Sequence, residues 1–423
     1  MRLKETCRGT HRFLLSGTCP WCDRPIVTGK YRPKLPASEA GARRWNLPAM
    51  LAALGSEDTE MSAWVSRNLF CHGPKPEMGL PVLRKAIQHN HEQVRVLALH
   101  ALRHHGSSMG KEEAERFELQ SQQNPGDAAL RVLLLGYYFL AHESAADKSA
   151  RYQHVLWIVE HAPETAVIAG AEIDLHPSID GEVYDRARQL WLVQVEVNPT
   201  NATILGNAAQ FFWGHDGTLS EELYRKAQAV EPQNPQWCTE LGRLYSRLAR
   251  QQTGVTSART ATQAFAEHEC AYQMADSEFQ QFLFLSDLAV AALEAGEQQK
   301  ARFYATKLVE EGPQHCACES DDHGNIHYGH LVLGRLALQA GDVEQAKLHL
   351  LESGKTAGTP HLSTGAPNMM LAKELLERGE RTTIVQYMRL CLGFWDDGGP
   401  KAEEWINTIE RGALPDFGAN LYY

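Results

Sequence analysis

The chain has 423 residues and carries 41 Lys and Arg against 52 Asp and Glu, so its formal net charge is −11. This charge argues against a broad nucleic-acid-binding surface, which requires a basic face. Hydrophobic residues make up 43% of the chain and charged residues 22%, a balance typical of globular and not of disordered proteins.

No stretch approaches the roughly 18 consecutive apolar residues of a membrane-spanning helix, and the N-terminus lacks the apolar run of a secretory signal. Nine cysteines are a sparse and odd number, unlike a disulfide framework. We therefore expect a cytoplasmic protein without a membrane partner.

Helices are predicted along the whole chain. Apolar residues recur at spacings of three and four in segments that end at Gly, Pro or Asn, and strand signals are scarce. A first period of 33 residues matches Gly73 with Gly106. Arg95 stands near the start of a second helix, where it can brace the polar bend at 89–91. On these residues, the segment 46–126 resembles HEAT repeats.

A second period, of 34 residues, occupies residues 127–395. It matches Ala208 with Gly242 and Phe211 with Tyr245. Small residues let two antiparallel helices approach closely, and large ones fill the gap to the next unit. The residues that carry the pattern are Ala208, Phe211, Ser220, Tyr224, Ala227 and Pro232. The segment resembles the tetratricopeptide repeat (TPR) superfamily, which implies an α-solenoid with a right-handed superhelix. Irregular insertions are expected at 246–262 and 314–327.

The C-terminal region resembles that of uncharacterised bacterial TPR proteins, which implies a fold and no particular activity. The stretches that carry this resemblance are His330 to Arg335, Ser353 to Thr356, Pro367 to Met369 and Pro415 to Leu421. Residues 396–423 are predicted to form a final helix and a tail. We expect this apolar tail to dock on the last helices, with Phe417 and Tyr422 as anchors.

Four potential zinc ligands lie within residues 1–45. Cys7, His11, Cys19 and Cys22 have the spacing C-x3-H-x7-C-x2-C. The tight C-x2-C turn presents two sulfurs to one ion, and the segment has few apolar residues to stabilise it without metal. We expect one structural Zn²⁺ in a zinc-ribbon-like module. A redox-active pair at Cys19 and Cys22, or loop cysteines without a ligand, are the alternatives.

The leading functional hypothesis is a non-catalytic scaffold that binds a protein or peptide in the concave groove of the TPR array. Arginine binds carboxylates through two hydrogen bonds, so a peptide with acidic groups or a free C-terminus is the expected ligand. Phe212 and Trp213 either contribute to the groove or pack between repeats. The candidate partner-binding residues are Arg243, Arg247, Arg335, Lys373, Phe212 and Trp213.

Two alternative functions stay open. The first is a regulatory subunit of a nucleic-acid-associated or defence assembly, which contacts phosphates through the basic N-terminal module. Its basic residues are Arg2, Lys4, Arg8, Arg12, Arg24, Lys30, Arg32 and Lys34. The second is a metallohydrolase that uses the His, Cys and Asp side chains of residues 315–330, whose histidines are expected at a solvent-exposed repeat junction.

No nucleotide-binding loop or hydrolase motif supports an enzyme. The sequence Ser353-Gly354-Lys355-Thr356 lacks the upstream glycine of a P-loop, because His349 occupies that position. Gly354 is instead predicted to be the C′ residue that ends a helix.

Overall fold

The computed structural model describes residues 76–89, 92–140, 144–165, 173–275, 277–315, 323–356, 362, 367–395 and 398–421. All regular structure within these residues is helical, with seventeen α-helices, short 3-10 turns and no strand. The all-α prediction is therefore confirmed for the described part of the chain. None of its helices combines the length and the apolar character that a membrane crossing requires.

The chain divides after Val230 into two compact units, with α1–α8 in the first and α9–α17 in the second. The helices are α1 Pro76–Ala86, α2 Glu92–Ser107, α3 Lys111–Gln123, α4 Ala128–Leu140, α5 Ala145–His161, α6 Pro177–Val197, α7 Ala202–Phe212, α8 Gly217–Val230, α9 Pro235–Gln251, α10 Gly254–Met274, α11 Glu278–Glu294, α12 Gln298–His315, α13 His323–Gln339, α14 Val343–Ser353, α15 Met370–Leu376, α16 Arg381–Cys391 and α17 Gly399–Glu410.

Helix α4 is the centre of the first unit, because its side chains are apolar nearly all round and it contacts α1, α2, α3 and α5. Its contact with α2 depends on two glycines. A Cβ on Gly106 would lie 2.0 Å from the carbonyl oxygen of Leu133, and one on Gly136 would lie 2.3 Å from that of Arg103. The two backbones therefore touch, which any side chain at these positions would prevent.

Arg95 occupies the position predicted from the sequence. Its Nη1 donates to the carbonyl oxygen of His89 over 2.9 Å, at the bend between α1 and α2. The bend therefore receives a charge-assisted hydrogen bond from the helix that follows it.

Helices α3, α4 and α5 meet at a buried polar network that the sequence did not reveal. His154 Nε2 donates to Glu118 Oε1 over 2.8 Å, and the Tyr138 hydroxyl donates to the same oxygen over 2.8 Å. Arg131 Nη1 lies 3.1 Å from His154 Nδ1 and so extends the network along α4. Burial raises the pKa of Glu118, but these hydrogen bonds outweigh burial and hold the pKa below its ordinary value.

The second unit is built from consecutive helical hairpins, α9/α10, α11/α12, α13/α14 and α15/α16, each of which contacts the next. Small residues of the repeat pattern lie where helices meet. A Cβ on Gly242 would lie 2.7 Å from the ring of His268, and one on Gly334 would lie 2.4 Å from Leu371. These contacts agree with the role that the sequence pattern assigns to its small residues.

The predicted irregular insertion at 246–262 is wrong. Helix α9 continues to Gln251 and α10 begins at Gly254, so the two are joined by a short turn. Gly254 adopts φ 61°, a left-handed conformation that glycine tolerates without strain. The residues that follow are helical because Ala261, Ala264 and Phe265 pack into the core at helical spacing.

The role predicted for Gly354 also needs correction. It directly follows α14, but its φ of −78° and ψ of −8° are right-handed and not those of a left-handed C′ residue. Glycine is required for space instead, because a Cβ would lie 3.0 Å from both Tyr387 and Leu390.

The tail lies on the last helices of the second unit. Phe417 is 2% exposed, and its ring packs edge-on against Trp405 at a centroid distance of 5.1 Å. The backbone amide of Met369 donates to the carbonyl oxygen of Asn420 over 2.7 Å. Phe417 is thus buried as the sequence predicts, whereas Tyr422 lies outside the described residues.

We predict that Phe417→Ala lowers the free energy of unfolding of the second unit by about 3 kcal/mol, because it leaves a cavity beside Trp405. Leu414→Ala is the matched control in the same tail. Leu414 is 47% exposed, so its loss should change stability by less than about 0.5 kcal/mol. Urea-induced unfolding followed by circular dichroism measures both variants, and equal effects would contradict docking through Phe417.

Candidate partner-binding surface

The predicted cations of the second unit lie on the first helices of three of its four hairpins. Arg243 and Arg247 belong to α9, Arg335 to α13 and Lys373 to α15. On α9 they share one face with Glu240 and Arg250, because residues three and four apart lie above one another on a helix. We call Glu240, Arg243, Arg247 and Arg250 the α9 polar face. The opposite side of α9 is buried and includes Cys238, Leu241 and Tyr245.

Arg243 pairs with carboxylates on its own helix and on α11. Its Nε donates to Asp287 Oδ2 over 3.1 Å, and its Nη1 lies 3.5 Å from Glu240 Oε1. The side chain of Arg243 is 54% exposed and that of Asp287 is 42% exposed. Burial raises the pKa of Glu240, and the positive charge of Arg243 opposes this shift.

A second ion pair joins α9 to α11 at the far end of the polar face. Arg250 Nε lies 3.4 Å from Glu294 Oε1. Burial raises the pKa of Glu294, with Arg250 and Arg335 opposing. The other oxygen of Glu294, Oε2, is buried and has no hydrogen-bond partner among the described residues. Arg247 lies between the two ion pairs on the same face, and burial lowers its pKa.

Arg335 is held more tightly by its neighbour than Arg243 is, whereas Lys373 has a partly exposed local partner. Arg335 reaches Glu374 through Nε at 3.0 Å and through Nη2 at 2.9 Å, and its side chain is only 16% exposed. Lys373 pairs with Glu377, the residue that directly follows α15. These carboxylates, with Glu240, Asp287 and Glu294, make the surface mixed in charge, whereas the sequence alone pointed to a basic groove.

Phe212 and Trp213 belong to the first unit, so they are described apart from the cations. Phe212 is 0% exposed and packs edge-on against Phe211 at a centroid distance of 5.1 Å. Its side chain is therefore part of the core, in line with the packing alternative. Trp213 is half-buried, and its backbone amide donates to the carbonyl oxygen of Gln210 at the end of α7.

Of the histidines in the 315–330 cluster, the structure describes the side chains of His327 and His330, both on α13. His327 is fully buried, so the expected position at a solvent-exposed junction is wrong for it. Its Nδ1 donates to the carbonyl oxygen of Ser353 over 2.8 Å, which holds α13 against the end of α14. His330 instead contacts His349 on α14, with 3.1 Å between the two Nδ1 atoms. The two side chains therefore have separate partners.

The described residues contain one group of three potential metal ligands, and it lies between α9 and α10. Cys238, Glu267 and Cys270 bring their ligand atoms within 4.8 Å of one another. The zinc ligands predicted from the sequence, Cys7, His11, Cys19 and Cys22, lie outside the described residues.

Sequence reasoning missed the Cys238–Cys270 contact, although a signal for it exists. Residues equally distant from the turn of an antiparallel helical hairpin face each other. Both cysteines lie 16 positions from Gly254, at the turn between α9 and α10.

Comparison of the sequence with known protein families finds no matching family model, and comparison with curated proteins finds no significant match. The candidate surface is therefore interpreted from its own geometry.

We predict that acid destabilises the protein in part through His327. Burial lowers the pKa of His327 to about 4, so only the unfolded chain takes up this proton between pH 6.5 and 4, and stability falls as the pH falls through that range. His327→Asn keeps a donor for the Ser353 carbonyl but does not titrate. Between pH 7.5 and 4.5 the variant should lose about 2–3 kcal/mol less stability than the natural chain.

Urea-induced unfolding at the two pH values measures this difference. The other acidic and basic groups are identical in both chains, so their contributions cancel in the comparison. Equal losses of stability would contradict a neutral, buried His327.

Proposed function

We propose that the chain is a non-catalytic scaffold of stacked helical hairpins that binds a protein or peptide partner through the α9 polar face. In this proposal the hairpins form an α-solenoid of the TPR type, preceded by HEAT-like repeats. The observation that carries the proposal is the exposed Arg243, which shares one helix face with Arg247. Stacked helical repeats present extended surfaces of this kind to protein partners.

The partner is expected to present carboxylates, either acidic side chains or a free C-terminus. An exposed ion pair contributes only about 0–1 kcal/mol, so exchange of the Asp287 carboxylate for a partner carboxylate at Arg243 costs little. Arg335 is less suited to exchange, because Glu374 contacts two of its nitrogens and the pair is mostly buried. We therefore assign recognition to Arg243 and Arg247, and a structural role to Arg335.

The N-terminal module is proposed to bind one structural Zn²⁺ through Cys7, His11, Cys19 and Cys22. The support is the ligand spacing in the sequence and the sulfur chemistry of zinc. The small number of cysteines favours a reducing, cytoplasmic location.

We predict that Arg243→Glu combined with Arg247→Glu abolishes capture of the partner. The substituted side chains repel the carboxylates that the arginines bind, and loss of one charge-assisted hydrogen bond already weakens binding about ten-fold. The measurement is affinity capture from an extract of the native host with the tagged full-length chain, quantified by mass spectrometry.

The matched control is Arg259→Glu combined with Arg389→Glu, which makes the same change in charge at exposed positions on α10 and α16. This control should capture the same proteins as the natural chain. If the α9 double variant also captures that set unchanged, while its circular dichroism spectrum is native, the α9 polar face is not the binding surface.

We also predict about one zinc ion per chain, released when Cys19 and Cys22 are both replaced by serine. Elemental analysis of the purified full-length protein gives the ratio. Replacement of Cys391, a buried free thiol on α16, is the control and should leave the zinc content unchanged. Retention of the ion by the Cys19/Cys22 variant would place the zinc elsewhere.

A further inference from the structure

The two helices of the α9/α10 hairpin carry a pair of cysteines in contact. Cys238 lies on α9 and Cys270 on α10, and their sulfurs form a disulfide with the Cα atoms 6.1 Å apart. This separation falls within the range of about 4.4–6.8 Å that disulfides accept without backbone movement. One turn away, the Gly242–His268 contact fixes the distance between the same two helices. The backbone therefore keeps the two cysteines at bonding distance.

The two sulfurs differ in their access to solvent. Cys238 is 0% exposed in the core of the hairpin, whereas Cys270 is only partly buried. A reagent from solution can therefore reach the side chain of Cys270 and not that of Cys238. Cys391, the free cysteine of the described residues, is buried, and burial raises its pKa to about 12.

We propose that Cys238 and Cys270 form a reversible thiol–disulfide site that reacts with small-molecule disulfides of the glutathione class. Cys270 is the attacking thiol: its thiolate bonds to one sulfur of oxidised glutathione and releases one glutathione thiolate. Cys238 then attacks the Cys270 sulfur of this mixed disulfide and releases the second glutathione. Two protein thiols thus lose two protons and two electrons, and one glutathione disulfide becomes two glutathione molecules.

Zinc binding at the same place is the competing interpretation, since Glu267 lies beside both sulfurs. Structural zinc takes four ligands in tetrahedral geometry, and the group of described residues offers three. The Cα separation already suits a direct sulfur–sulfur bond. The geometry therefore favours the disulfide over the metal.

The test uses the full-length chain, first reduced and then incubated with oxidised glutathione. The reaction is quenched with acid, free thiols are alkylated in denaturant, and the Cys238 and Cys270 peptides are quantified by mass spectrometry. In the natural chain these two peptides should become linked, and reduced glutathione in excess should separate them again. Cys391 should be alkylated throughout, which is the internal control for buried thiols.

Two variants separate the roles of the sulfurs. Cys238→Ala should accumulate glutathione on Cys270, because the second attack is missing. Cys270→Ala should leave Cys238 unmodified, at least about ten-fold slower to react than Cys270 in the other variant, because burial blocks access. Glutathione on Cys238 in the Cys270→Ala chain, or failure of the natural chain to form the linked peptide, would overturn the proposal.

Metal content decides the competing interpretation. The reduced natural chain and its Cys270→Ala variant should contain the same amount of zinc, and loss of one zinc ion in the variant would overturn the disulfide assignment. The Cys270→Ala chain keeps the buried Cys238, so its fold can be checked by thermal unfolding even where Cys238→Ala is unstable. The linked peptide in the natural chain tests the proposal without any substitution.

Discussion

Close approach of helices at glycine residues underlies the packing of both units. In the first unit, Gly106 and Gly136 let α2 and α4 touch, and in the second, Gly242 lies against the ring of His268. A methyl group at any of these positions would overlap an atom of the neighbouring helix. These contacts set the distance between helices, and the larger apolar side chains fill the space that is left. The positions of charged residues on the outer faces follow from this spacing.

On the outer face of the second unit, the same spacing brings opposite charges from neighbouring hairpins together. Arg243 meets Asp287, Arg250 meets Glu294, and Arg335 meets Glu374. A protein with a net charge of −11 thus presents arginines there that are already neutralised in pairs. In the proposed function, recognition on such a face would depend on exchange between carboxylates and not on a strong positive field. Selectivity for a partner would then be set by which ion pair is exposed enough to exchange its carboxylate.

Much of the fold follows from the sequence, because spacings of three and four reveal helices and small residues reveal their contacts. The ion pairs cannot be read from the sequence in this way. Asp287 is 44 positions from Arg243, and whether the two side chains meet depends on how the hairpins stack. The sequence around Phe212 is consistent both with a position in a groove and with a position in the core, and only its packing in the structure distinguishes the two. The turn before Gly254 lies within residues 246–262, which the repeat pattern predicts to be irregular, and the facing positions of Cys238 and Cys270 can be read only from that turn.

Helix α4 gives the first unit a different kind of connectivity from the second. It contacts α1 and α2, which precede it by three and two helices, as well as its neighbours α3 and α5. Among the described residues of the second unit, the main helix contacts lie within a hairpin or between adjoining hairpins. Stacks with nearest-neighbour contacts open stepwise from their ends, whereas a shared central helix couples its partners. Helices α1, α2, α3 and α5 are therefore expected to unfold together with α4 as one cooperative block, and the hairpins of the second unit to open one after another.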